Sequence, residues 1–157
     1  MKTLLLAIIA LVSTSCHTSY ELSERRFQVT SDFTDAEFAI MQAEVDHLCD
    51  LTSHCIYISR ETHQNKIIRE KFDDQDWDNG GYFAVWSDDS RYISIGDGAI
   101  KGGGLASTFR HEIGHAAGCY GNYNDGHLKD PGNVMYWRVS DVDWTDADLD
   151  CIEEGNK

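Results

Sequence analysis

Basic residues are scarce in this chain: 13 lysines and arginines stand against 27 aspartates and glutamates, a formal net charge of −14. A surface so acidic repels phosphate backbones, which excludes nucleic acid as an expected partner. Long apolar runs are missing too, since the one from Leu4 to Val12 is too short to cross a bilayer. No internal repeat is present, and 157 residues suit one domain able to bury roughly two thirds of its unfolded surface. Two ligand-binding patterns are incomplete. DDQDWDNGG alternates Asp74, Asp76 and Asp78 but lacks the glycine at position six and the glutamate at position twelve of a calcium-binding EF-hand loop. It reads as a solvated acidic turn, and calcium is left unassigned. GDGAIKGGG lacks the lysine and hydroxyl pair that a phosphate-cradling P-loop needs, and reads as a flexible connection.

What is present begins with a secretory pattern. Lys2, the short apolar run and the small residues after it read as a signal peptide over 1–15, followed by a polar tether over 16–26 and a folded domain over 27–157. LVSTSC is similar to a bacterial lipoprotein cleavage site, which implies lipidation at Cys16 and a place at the outer membrane or cell surface. Without that anchor, the expected only membrane contact, the protein is secreted. Four further cysteines, Cys49, Cys55, Cys119 and Cys151, permit three pairings in an oxidising compartment. Cys49 and Cys55 flank the short LTSH link and are paired locally, leaving Cys119 with Cys151.

The hydrophobic pattern describes one α+β domain. A short strand near Phe27 to Thr30 precedes a capping box, Thr34 with Glu37, and a helix from about Asp35 to Cys49 whose Phe38, Met41, Val45 and Leu48 recur at helical spacing. CIYIS, YFAVW and RYISI alternate as strands, whereas the stretch from Arg60 to Gly81 is polar and rich in turn residues. A second helix runs from about Leu105 to Ala117 and stops at Gly118, a residue free to adopt positive φ. After a loop region holding Pro131, a last helix starts near Thr145, with Asp148 three residues on. The expected architecture is a small twisted mixed sheet packed on the second helix.

That helix carries HEIGH. His111 and His115, four apart, project from one helical face and can meet one zinc ion. Glu112 beside them is placed to take a proton from a water that the cation acidifies, and to deliver it to a leaving amine. A catalytic zinc needs a third protein ligand, and His127 is the candidate, with Asp125 as the alternative. Imidazoles bind metal only when neutral, so zinc affinity is expected to fall below about pH 6.5. His17, His47, His54 and His63 have no ligand spacing and read as surface or helix-face residues.

HEIGHAAG followed by HLKDPGNVMY resembles the metzincin clan of zinc peptidases, closest to its matrixin-like branch. That clan carries HExxHxxGxxH and then a turn containing methionine. Gly121 stands here at the usual third-histidine position, while His127 lies eight residues before Met135 and keeps the downstream spacing. The resemblance therefore implies a six-residue insertion, built from the turn formers of CYGNYNDG. Two doublings of loop length cost about 1.2 kcal/mol, and a disulfide from Cys119 can offset this with about 2 to 4 kcal/mol. Met135 is then either the Met-turn residue under the ligands or ordinary core filler. The resemblance implies a monomeric zinc endopeptidase acting on proteins or peptides, with an extended substrate along an edge strand near Tyr92 to Ile95. A zinc-containing binding protein or adhesin that cleaves nothing is the rival.

Overall fold

The computed structural model describes residues 25–70, 84–87, 91–120, 127–136 and 141–157. The signal peptide, Cys16, most of the tether, the acidic run around Asp76 and the alternative ligand Asp125 lie outside the described residues. In chain order the elements are β1 (Arg26–Val29), α1 (Asp35–Leu51), β2 (Tyr57–Ser59), β3 (Asn65–Glu70), β4 (Ala84–Ser87), β5 (Tyr92–Gly96), α2 (Asp97–Lys101), α3 (Leu105–Ala117) and α4 (Asp146–Gly155). They form a mixed helix and sheet domain with strand order β2-β1-β3-β5-β4. The first four strands of that order are parallel, and β4 runs antiparallel to β5. No helix among the described residues is long and apolar enough to cross a membrane.

Register explains the core. Phe27 stands opposite Ile58 on one side, while Val29 pairs with Ile67 and Ile67 with Ile93 on the other, so one row of apolar side chains crosses the sheet. This row joins Met41, Val45 and Leu48 of α1 and Phe109 and Ile113 of α3 in a single buried cluster. Helix α1 starts where its capping box requires: the Thr34 hydroxyl accepts from Glu37 N at 3.3 Å, and the Glu37 carboxylate accepts from Thr34 N at 2.6 Å. Helix α4 repeats the device with Thr145 and Asp148.

Four sequence expectations are corrected. NKIIRE, read as part of a polar stretch, is the central strand β3. Its inward polar residues hide the alternation because each has a tertiary partner: Asn65 donates to the Arg26 carbonyl at 3.0 Å, and Arg69 pairs with Asp97 at 2.5 Å and Glu37 at 3.2 Å. Tyr92 to Ile95 is not an edge, since β5 is flanked by β3 and β4; among the described residues the edge on that side is β4. DGAIK folds as α2 and is not a flexible connection; the Arg69 hydrogen bond holds the Asp97 carboxyl below its ordinary pKa. Finally, Cys49 and Cys55 are free thiols, not a disulfide. Each points at its own backbone acceptor, Cys49 at the Ile56 carbonyl and Cys55 at the Thr52 carbonyl, and burial with the neighbouring Cys55 thiol pushes Cys49 up to about 12.

Candidate metal centre

Helix α3 is set in place by its outer flank. Arg110 donates to both oxygens of Glu44 on α1, at 2.6 and 3.0 Å, and to the Val142 carbonyl. This planar, paired contact fixes the rotation of α3 against α1. The inner flank then buries His111 and Glu112, which are 4% and 5% exposed. At about 100° per residue, Glu112 lies roughly 60° around the helix from His115, bordering the histidine face without sharing it.

The third histidine arrives from the loop side. Leu128 N donates to the Met135 carbonyl at 2.7 Å, and the residues between fold as tight turns in which Asp130 accepts from Gly132 N and Asn133 N. The backbone next to Met135 therefore registers His127. His111, His115 and His127 gather with one ring nitrogen each, all within 4.8 Å of one another. The Nε2 atoms of His111 and His127 are 3.3 Å apart. Zinc–nitrogen bonds of about 2.0–2.1 Å at a tetrahedral angle separate two ligand nitrogens by about 3.3–3.4 Å, so the pair already has the required spacing.

Tautomers are set by backbone oxygens. His111 Nδ1 lies 2.7 Å from the Val134 carbonyl, and His115 Nδ1 lies 2.9 Å from the Cys119 carbonyl. A carbonyl only accepts, so both Nδ1 atoms carry the proton and both Nε2 lone pairs are bare. The bare Nε2 of His111 faces the Nε2 of His127 at 3.3 Å, a gap that a proton on His127 or a cation can bridge. The donor set, two imidazoles oriented by carbonyls with the His127 ring beside them, fits a zinc ion.

Met135 is fully buried, and a side chain on Gly114 would meet its sulfur at 2.3 Å. The methionine thus presses on the turn of α3 that separates the two helical histidines. It also belongs to the core cluster, which is the filler reading. At the helix exit Gly118 has φ 121°, a conformation that only glycine adopts without strain.

Two features were missed in the sequence. Gly114 reads as an indifferent helix residue until Met135 is seen against it. Asp148, fully buried, does more than cap α4: it accepts from Val134 N at 3.1 Å, Met135 N at 2.9 Å and Thr145 N at 2.9 Å. Its position in the capping box was legible, but its grip on the methionine turn was not. Asp148→Ala strands three backbone donors, two of them in the turn that holds His111, and is expected to cost at least about 2 kcal/mol, read as a lowered denaturant midpoint. His47 and His54 take no part, pairing instead with Asp143 and Glu153.

Burial has a pH consequence. Desolvation lowers His111 to about 4 against the opposing Val134 hydrogen bond, and desolvation with the nearby His111 lowers His115 to about 3. Unfolded imidazoles titrate near 6.5, so between that value and the folded ones the unfolded chain binds more protons. Stability of the metal-free protein is therefore complete above about pH 6.5 and declines as pH falls toward 4 and 3, by at most about 1.4 kcal/mol per pH unit for each ring. Urea midpoints measured from pH 7 to 4 check this. By the same shifts, protonation of His111 and His115 would compete with a cation only well below the 6.5 expected for free imidazole.

No protein-family model matches the chain, and no curated protein matches it.

Proposed function

We infer that the protein is a zinc-dependent endopeptidase, with His111, His115 and His127 as ligands and Glu112 as the catalytic acid and base. The observation that carries this reading is the convergence of three imidazoles, two with tautomers set by backbone carbonyls, beside a buried glutamate one residue from the first ligand. When bound, zinc supplies a Lewis acid that acidifies a water and polarises a carbonyl. Glu112 accepts the proton of the attacking water and passes it to the departing amine, so the peptide bond breaks to a carboxylate and an amine. Its burial excludes bulk water that would otherwise compete for the carboxylate.

The same inference extends to the fold family: the motif spacing, the methionine under the helix and the terminal helix favour a metzincin-like domain with an enlarged loop before the third ligand. For substrate we favour an extended peptide along β4, whose outer backbone groups can add a strand to the sheet and which packs next to α3. Export is supported by the Cys119–Cys151 disulfide, which persists in an oxidising compartment.

Incubating a mixed peptide library with the protein and reading products by mass spectrometry tests the reading. New cleavage products that vanish with a chelator and return with zinc are expected. An intact library, with zinc demonstrably bound, leaves the protein a zinc-containing binder.

A further inference from the structure

The Cys119–Cys151 disulfide joins the residue after the α3 exit to the middle of α4, across a sequence separation of 32. Cys119 has a second attachment. Its carbonyl is the acceptor for His115 Nδ1 at 2.9 Å, its amide donates to Gly114 O at 3.0 Å, and its side chain is fully buried. One residue is therefore bonded covalently through its side chain and holds a proposed ligand through its backbone. The segment closed by the bond contains His127, Met135 and Asp148, so the same link limits the travel of the third histidine.

We propose that this disulfide is a positioning device for the metal centre, and that its reduction weakens metal retention by releasing the Cys119 carbonyl from His115. The inference rests on the reading of the three histidines as a zinc site. Without the bond, Cys119 keeps only its amide contact, and the flanking chain gains the freedom to rotate its carbonyl away. His115 then populates the tautomer with the proton on Nε2, which cannot bind a cation at that nitrogen.

The loss is local. Asn156 Nδ2 still donates to Ala117 O at 2.7 Å and to Ile152 O at 2.6 Å, tying the end of α4 to α3 without the disulfide. His111 is separately held, because its carbonyl partner Val134 belongs to the turn gripped by Asp148. It serves as an internal control.

Chemically, a dithiol reductant opens the bond by thiolate attack on one sulfur and release of the other as thiolate. Its second thiol resolves the mixed disulfide, leaving two cysteine thiols and an oxidised reductant. Such a device would let the protein hold zinc in an oxidising compartment and surrender it in a reducing one.

The test compares the full chain with its C119S/C151S variant in two measurements. Zinc affinity is read by competition with a chromogenic chelator, and imidazole tautomers in the metal-free proteins by nitrogen NMR. We expect the variant to bind zinc about 10- to 100-fold more weakly, the range of lost outer-shell contacts. His115 should change from a single Nδ1–H tautomer to a mixture while His111 does not. Equal affinity together with an unchanged His115 tautomer overturns the proposal. If the oxidised chain binds no zinc, the metal-site reading falls, and the His115 tautomer comparison by itself still decides whether the disulfide orients that ring. Should the variant not fold, the oxidised chain treated with a phosphine reductant gives the same comparison, read by the same two outcomes.

Discussion

Glu112→Ala leaves zinc bound and reduces peptide hydrolysis by about 10²- to 10⁴-fold, the contribution usual for a positioned acid and base. The separation of the two effects follows from the geometry. The proposed metal-binding atoms belong to three imidazoles, and Glu112 lies around the helix from them, so truncating it removes none of them. What disappears is the proton acceptor for water and the donor for the amine. Glu112→Gln sharpens the test, because it keeps the size and polarity of this buried side chain and removes only its basicity. Zinc content by atomic emission and turnover of a cleaved library peptide give the two readouts. Full turnover in either variant assigns the acid and base elsewhere.

His127→Ala produces the opposite pattern: metal is lost first, and activity with it. Two histidines on adjacent turns of α3 remain, but a pair lacks the enclosure that a catalytic zinc site needs. Affinity is expected to fall by more than the roughly 10- to 100-fold typical of an outer-shell change, read by chelator competition. Helix α3 and the sheet should be unaffected, since His127 comes from a loop segment registered by the Leu128 to Met135 hydrogen bond. Asp125→Ala is the companion measurement. If that variant loses zinc and His127→Ala does not, the third ligand is the aspartate.

Much of this was legible in local chemistry. Thr34 with Glu37, and Thr145 with Asp148, announce helix starts because a hydroxyl and a carboxylate three residues apart satisfy the free amides of a first turn. The spacing of His111 and His115 places both rings on one face of α3 from helical geometry alone. Gly118 marks the stop for the same local reason, and the Cys119–Cys151 pairing followed once the cysteines were divided by distance along the chain. Less could be read wherever a residue's environment is supplied by a distant one. Arg69 makes β3 look like a surface segment until Asp97 and Glu37 neutralise it, and Cys49 and Cys55 are near in sequence but aimed at different carbonyls.

By itself, then, the sequence determined the starts of α1 and α4, the span of α3 with its histidine pair, and the acidic surface, because these depend on residues within a few positions of one another. Only the tertiary structure decided which strand is central, that His127 returns to within 3.3 Å of His111, and that Asp148, Val134 and Cys119 hold the rings. Those outcomes depend on backbone carbonyls and amides, which every residue carries alike. A chemical group common to all positions leaves no mark in a sequence until the fold chooses its partner.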